Sequence, residues 1–219
     1  MWKKNQWIDV TMRLTNDLEP WPGDTPFSYQ VRLTKDQTGS ANIGELTTGV
    51  HVGTHLDAPF HYDNAGETID EIDPSLLIGK ALVVDVRGHK KIGRQELERF
   101  DLDGVSRILL HSFDRPNSKC FPENYPVLRE DIGPFLKEKG VHLIGTDCPS
   151  VDPVDSKAMT AHHALYENGV YILENLVLNH VEAGFYQLIA LPLAIQGGDG
   201  SPVRAVLKSI PVSITKDGH

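Results

Sequence analysis

Between residues 81 and 178 the sequence alternates short apolar runs with segments that mix polar and apolar residues. The apolar runs predict buried strands, at residues 81–86, 107–110, 141–145 and 170–178. The mixed segments predict helices, at residues 94–100, 129–139 and 156–168, and Gly140 and Gly169 follow two of them as terminating glycines. Strands that alternate with helices at this spacing are typical of βαβ units, which require a parallel sheet.

The first third of the chain has the pattern of antiparallel strands instead. Strands are predicted at residues 7–14, 27–34 and 42–48, and in the second of these apolar and polar residues alternate as in a strand with one buried face. A long loop is predicted at residues 112–125 and a last strand at residues 203–212. With 219 residues and no repeat or linker, the chain is predicted to form a single domain over residues 1–219. The expected fold class is α/β, a mixed sheet with antiparallel N-terminal strands and parallel βαβ units.

Composition excludes several classes of function. The formal net charge of -9 opposes binding to nucleic acid or to an anionic membrane. No apolar run approaches the roughly 20 residues of a membrane span, and the first residues lack the apolar core of a signal peptide. Cys120 and Cys148 are too few for a disulfide framework. We therefore expect a cytoplasmic protein.

Residues 51–61, HVGTHLDAPFH, contain three histidines and an aspartate. In a straight strand His51 and His55 would lie about 13 Å apart, too far to bind one metal ion. Gly53 and Pro59 both oppose a regular helix, and Gly53 tolerates the dihedral angles of a bend. We interpret the segment as a curved metal-binding loop. The alternative is a solvated surface turn, which His51, His55, Asp57 and His61 together make less favoured.

A second group of candidate ligands follows the strand at residues 141–145. Loops at the carboxyl ends of parallel strands are where α/β sheets bind ligands. His162 and His163 lie on the predicted helix 156–168, and only one of them is expected to face inward, although periodicity does not choose between them. Glu174 interrupts the apolar strand 170–178, where a carboxylate needs a metal or an ionic partner. A structural ion pair is the alternative for Glu174.

Three further residues have open interpretations. Pro20 and Pro22 hold Trp21 in a rigid turn, so its ring is either an aromatic wall for a ligand or a cover for the core. Cys148 precedes a proline and no helix begins there to lower its pKa, which favours a buried thiol over a nucleophile. Arg204 is expected to form a surface salt bridge rather than to hold a substrate carboxylate.

These motifs together resemble the cyclase-like metal-dependent hydrolases and, within them, the bacterial kynurenine formamidase (arylformamidase) family. The resemblance extends over nearly the whole chain, from Trp7 to Val206. The motifs that carry it are WPGDTP (21–26), the segment 51–61, PSVDP (149–153), AHHA (161–164) and ILEN (172–175).

The resemblance implies a cyclase-like swivelling β/β/α fold and two Zn²⁺ ions per chain. The first ion would bind His51, His55 and Asp57. Asp57 would be shared with the second ion, which His162 and Glu174 would complete. His and carboxylate ligands also suit Mn²⁺ and Fe²⁺, so zinc is not the sole possibility.

The resemblance assigns the remaining positions as well. It selects His162 rather than His163, because the family's ligand is the first histidine of the pair, twelve residues before the glutamate. His61 corresponds to the family's proton-transfer histidine, and Trp21 to an aromatic residue at the substrate pocket. The family is dimeric, which implies a homodimer here.

The implied reaction is hydrolysis of N-formyl-L-kynurenine to L-kynurenine and formate, a step of tryptophan degradation. A metal-bound hydroxide would attack the formyl carbon, since a bound metal lowers the pKa of water to about 7. His61 would take the proton and pass it to the departing arylamine. The alternatives are a hydrolase of a related aryl amide or lactam such as isatin, and a metal-binding module without catalytic activity.

Overall fold

The computed structural model describes residues 7–114 and 119–210. Most of its strands belong to one mixed sheet, and its helices are short. The strands are β1 (Trp7–Asp9), β2 (Ser28–Leu33), β3 (Ile43–Thr47), β4 (His55–Asp57), β5 (Ile78–Asp85), β6 (Lys91–Ile92), β7 (Arg107–His111), β8 (Val127–Leu128), β9 (Leu143–Thr146), β10 (Tyr171–Glu174), β11 (Gly184–Ile189), β12 (Gly200–Pro202) and β13 (Val206–Ser209). The α-helices are α1 (Lys35–Thr38), α2 (Arg94–Leu97), α3 (Ile132–Glu138) and α4 (Thr160–Tyr166), and 3₁₀ turns span Pro59–His61 and Pro74–Leu77.

Nine strands form the main sheet in the order β1-β13-β11-β5-β7-β9-β10-β4-β12. The four neighbours β5, β7, β9 and β10 are parallel, as the alternation of strands and helices predicts. The strands on both sides of them pair antiparallel. The expected α/β class with a mixed sheet is confirmed.

The parallel strands are buried on both faces. In β5, Ala81 and Val83 pack into one apolar cluster, whereas Leu82 and Val84 pack into the other. The second cluster also contains side chains from α2, α3 and α4, which cover that face. The first cluster joins side chains from distant strands of the curled sheet, such as Leu56.

Several elements are shorter than their sequence patterns predict. The first strand ends at Asp9, the helix predicted from residue 156 begins at Thr160, and the strand predicted to extend to residue 178 ends at Glu174. Asn175 has a left-handed φ of 57°, which stops the strand directly after the glutamate. Of the predicted strand 203–212, residues 211 and 212 lie outside the described residues, as do residues 115–118 of the predicted loop.

The hairpin formed by β2 and β3 corrects another expectation. The alternating pattern of residues 27–34 predicts one buried face, but every residue of β2 and β3 is exposed. The two strands pair only with each other, and no other strand of the described chain extends them. The apolar side chains of this hairpin face are Tyr29, Val31, Leu33, Ile43 and Leu46.

Candidate metal centre and its cavity

The curved loop that the sequence predicts is present, and Gly53 forms its bend. Gly53 has a φ of 71°, and a Cβ atom there would lie 2.6 Å from a methyl carbon of Leu14. The chain enters β4 only at His55, so His51 lies before the strand and folds back toward it. The rings of His51 and His55 are consequently 5.0 Å apart at their centroids, rather than at opposite ends of a straight segment.

The loop and β4 bring the first three candidate ligands together. Asp57 Oδ1 lies 3.0 Å from Nδ1 of His51 and 3.2 Å from Nε2 of His55. His55 and Asp57 are buried, with side chains 2% and 1% exposed. The sequence interpretation that these three side chains share one place is therefore matched by the geometry.

Two elements supply the second group. Strand β10 pairs with β4 so that Glu174 lies opposite His55, and the two side chains approach to 3.4 Å. Helix α4 directs His162 into the same place, with its Nε2 atom 3.5 Å from Asp57 Oδ2 and 3.8 Å from Glu174 Oε1. His163 is only half-buried and belongs to neither group of candidate ligands; its ring lies 6.0 Å from that of Tyr62. The helix thus brings the first histidine of the pair into the cluster.

The nitrogen of each cluster histidine that faces away from the centre has its own acceptor. His55 Nδ1 lies 2.9 Å from the carbonyl oxygen of Gly53, and His162 Nδ1 lies 2.7 Å from Asp152 Oδ2. His51 Nε2 lies 3.0 Å from Asp199 Oδ2. Histidines that bind metals in proteins usually donate their outer N–H in this way, which fixes the tautomer and the ring orientation.

The residues of the cluster fit a divalent cation. Asp57 Oδ2 is buried and accepts no hydrogen bond from the described residues, although buried polar atoms in proteins are normally hydrogen-bonded. His162 Nε2 approaches it only to 3.5 Å. In both groups, His51-His55-Asp57 and Asp57-His162-Glu174, the candidate ligand atoms lie within 4.8 Å of one another. Imidazole nitrogens and carboxylate oxygens are the ligands expected for Zn²⁺, Mn²⁺ or Fe²⁺.

The electrostatics of the cluster agree with this fit. Burial opposes the charged form of His55, but Asp57 and Glu174 outweigh it and raise the pKa of His55 to about 10. In the same way Asp152 and Asp57 overcome the burial of His162 and raise its pKa to about 10. Burial and the negative charge of Asp57 raise the pKa of Glu174. The carboxylates therefore create a site that favours positive charge.

His61 and Trp21 line the cavity that opens onto the cluster. The cavity has a volume of about 320 Å³, and Asp24, Pro149, Ser150, Met159 and Asp199 also line it. The His61 side chain is 31% exposed, and burial is the main reason that its pKa lies below the usual value. Trp21 packs edge-on against Phe121, with ring centroids 5.3 Å apart. Its side chain therefore lines the cavity and also packs against Phe121, so both interpretations of Trp21 have structural support.

The two carboxylates that contact the outer nitrogens of cluster histidines, Asp152 at His162 and Asp199 at His51, were not identified from the sequence. Asp152 lies in the PSVDP motif, but its distance along the chain from His162 does not indicate that the two side chains are in contact. Asp199 is 148 residues from His51 along the chain. A carboxylate that contacts the outer nitrogen of a candidate metal-binding histidine has no fixed spacing from that histidine in the sequence. Only the tertiary structure therefore identifies it.

The surroundings of Cys148 and Arg204 favour the structural interpretation of each residue over the functional one. Cys148 is buried, and burial raises the pKa of its thiol far above the usual range, as expected for a thiol that is not a nucleophile. Arg204 forms an exposed salt bridge with Asp9, 2.6 Å between Nη2 and Oδ2, which confirms the surface pair.

No helix of the described residues is both long and apolar enough to cross a membrane.

Comparison with known proteins identifies the family. Residues 8–153 match the family model described as "Putative cyclase". A protein of Bacillus thuringiensis (strain Al Hakam) called kynurenine formamidase is 52% identical over 208 residues, which cover 95% of this chain and 100% of that protein. The chain belongs to the cyclase family and, within it, to the kynurenine formamidases. A protein of the same name from Bacillus cytotoxicus is 50% identical over the same share.

Solved structures of lower identity show the same fold. A structure described as a potential metal-dependent hydrolase with cyclase activity has a TM-score of 0.80 at 23% identity, over 94% of this chain and 99% of that one. Isatin hydrolase A from Labrenzia aggregata has a TM-score of 0.79 at 22% identity, over 92% of this chain and 93% of that one. At these identities the likeness concerns the fold and not the substrate.

Proposed function

We propose that this kynurenine formamidase family member hydrolyses N-formyl-L-kynurenine to L-kynurenine and formate, as a step of tryptophan degradation. The observation that supports the substrate is 52% identity to a kynurenine formamidase over that protein's whole length. The observation that supports the chemistry is the buried cluster of three histidines and two carboxylates beside the cavity.

We assign two Zn²⁺ ions to the cluster. His51, His55 and Asp57 would hold one ion, and Asp57, His162 and Glu174 the other. Asp57 Oδ2 is buried, accepts no hydrogen bond and lies 3.5 Å from His162 Nε2, which supports the shared role of this carboxylate. When bound, these ions would polarise the formyl carbonyl oxygen and lower the pKa of water, so that the water can give up its proton at neutral pH.

His61 is the proposed proton-transfer group. It lines the same cavity, and its lowered pKa leaves the imidazole neutral at pH 7, so that it can accept a proton. It takes a proton from the attacking water as the new C–O bond forms at the formyl carbon. It then donates that proton to the aryl nitrogen as the C–N bond breaks. Trp21 forms an aromatic wall against which the aryl ring of the substrate packs.

A homodimer is the proposed assembly, and the apolar face of the β2–β3 hairpin supports it. Five apolar side chains of this hairpin face are between 42% and 61% exposed. A two-stranded ribbon is marginally stable by itself, and contiguous exposed apolar surface marks protein interfaces. Val31→Lys should therefore convert a dimer to a monomer in light scattering. The single domain over residues 1–219 and the cytoplasmic location stay predictions.

The test of the activity is formate release from N-formyl-L-kynurenine by purified protein, with elemental analysis of the same sample. We expect turnover that is lost after chelation and restored by Zn²⁺. Isatin is the competing substrate, and faster turnover of isatin would reassign the activity to a lactam hydrolase. Binding of metal without release of formate would indicate a module with no catalytic activity.

A further inference from the structure

We propose that Asp199 is a positioning residue that holds His61 in the tautomer and orientation needed for proton transfer. This inference rests on the proposed function, because it assigns a partner to the proton-transfer histidine. The carboxylate oxygen Oδ2 of Asp199 lies 3.4 Å from Nδ1 of His61 and 3.0 Å from Nε2 of His51. One oxygen atom thus stands between a proposed metal ligand and the proposed acid–base group.

The backbone around Asp199 is fixed to the metal loop. The amide of Ala58 donates a hydrogen bond of 3.0 Å to the carbonyl oxygen of Asp199. The next residue, Gly200, pairs with Asp57 across β12 and β4, and a Cβ atom there would lie 2.7 Å from Cε1 of His51. Asp199 is therefore positioned by the same strand pair that positions Asp57.

His61 needs an external partner to keep one orientation. It ends a 3₁₀ turn of three residues, and its side chain is 31% exposed. Its ring packs against the ring of His51 with centroids 4.0 Å apart, which restrains its plane but leaves a ring flip possible. A carboxylate at Nδ1 selects the tautomer with the proton on that atom, and leaves Nε2 free to accept a proton.

The contact with Asp199 is somewhat longer than a hydrogen bond. Hydrogen bonds of catalytic groups are often long without substrate and shorten in the complex. A closure of a few tenths of an ångström brings His61 Nδ1 within the usual N–H···O range. Asp199 then keeps its negative charge throughout, while the transferred proton moves between water, Nε2 of His61 and the leaving nitrogen.

The competing role for Asp199 is that of a metal ligand. His51, His61 and Asp199 also form a group whose candidate ligand atoms lie within 4.8 Å of one another. The two roles predict different results. A direct ligand loses metal even at saturating Zn²⁺ when it is replaced. Asp199 also contacts His51 Nε2, at 3.0 Å, so its replacement weakens the metal affinity of that site but leaves the site filled at saturating Zn²⁺. In the filled site a positioning residue loses activity only while His61 is present.

The experiment is a double-mutant cycle of Asp199→Asn and His61→Ala, with N-formyl-L-kynurenine as substrate and saturating Zn²⁺. At saturating Zn²⁺ we expect Asp199→Asn to retain the wild-type metal content and to lower kcat by about 10–100-fold with little change in KM. In the His61→Ala background the same substitution should change kcat by less than about twofold, because Asp199 acts through His61. Asp199→Glu should restore part of kcat. Asp36→Asn, an exposed carboxylate on α1, is the matched control.

Imidazole ¹⁵N NMR of the protein gives a readout that does not depend on turnover. We expect His61 to carry its proton on Nδ1 in the wild type, and to lose this preference in Asp199→Asn. If the wild type releases no formate, the proposed function fails, and the NMR spectra still test the contact.

Three results would overturn the role of Asp199. The first is wild-type kcat in Asp199→Asn, and the second is an equal further loss in the His61→Ala background. The third is loss of metal in proportion to activity even at saturating Zn²⁺, which would make Asp199 a ligand.

Discussion

Replacement of Asp57 by asparagine tests the shared carboxylate directly. Asp57 is the one residue common to the groups His51-His55-Asp57 and Asp57-His162-Glu174. Asparagine keeps the shape and one carbonyl oxygen but removes the negative charge. We therefore expect both metal sites to weaken together, whereas a residue of one site would affect only that site.

The magnitude follows from the burial of Asp57, whose side chain is 1% exposed. Two unit charges about 4 Å apart interact by about 4 kcal/mol at an effective dielectric constant near 20. A divalent cation in direct contact has twice the charge and lies closer, but desolvation of the cation and the carboxylate offsets part of the added attraction, so we take about 4 kcal/mol as the magnitude. Because about 1.4 kcal/mol corresponds to a factor of ten, each site should lose about a thousandfold in affinity.

The assay is metal content after dialysis, together with competition against a chelator of known affinity. We expect two equivalents in the wild type and less than half an equivalent in Asp57→Asn, with circular dichroism reporting that the fold is retained. Asp152→Asn is the matched comparison, because Asp152 contacts His162 and should weaken one site by about 10–100-fold. Asp36→Asn is the surface control. One full equivalent retained by Asp57→Asn would refute the shared role.

Four other predictions follow from the same geometry. Glu174→Gln should lose metal and activity while the fold survives, and near wild-type turnover would make Glu174 a structural residue. His61→Ala should keep its metal and lose roughly 10²–10⁴ in turnover, and metal loss in step with activity would make it a ligand. Trp21→Ala should lower kcat/KM for N-formyl-L-kynurenine about tenfold or more, and should change kcat/KM for a small aliphatic formamide much less. Trp7→Ala is the exposed control, and equal losses on both substrates would contradict the prediction. The pKa of His55 is raised to about 10, so metal binding at pH 7 displaces its proton, and the apparent metal affinity should rise about tenfold per pH unit for each proton released. Calorimetry in buffers of different ionisation enthalpy counts the protons released on binding. Release of no proton would contradict this prediction.

The local sequence determined the parts of the site that depend on short spacing. Gly53 allows the bend, and the bend brings His51 back toward Asp57, so a curved loop that carries candidate metal ligands was predictable from eleven residues. The parallel sheet was also predictable, since its strands are apolar on both faces and helices separate them. Glu174 stood out because a carboxylate interrupts an apolar strand.

Only the tertiary structure decided how the halves of the site meet. Strand β10 pairs with β4 in a register that places Glu174 opposite His55, and no local pattern encodes a pairing between segments so distant in the chain. The choice of His162 over His163 depends on which side of α4 packs against the sheet, which periodicity left open and only the family resemblance suggested. The exposed face of β2 was predicted wrongly, because an alternating pattern shows that one face is apolar but not whether the chain itself covers it. No sequence signal indicated Asp199, for a similar reason. Its carboxylate reaches His51 only because β12 pairs with β4, and no local pattern predicts that pairing.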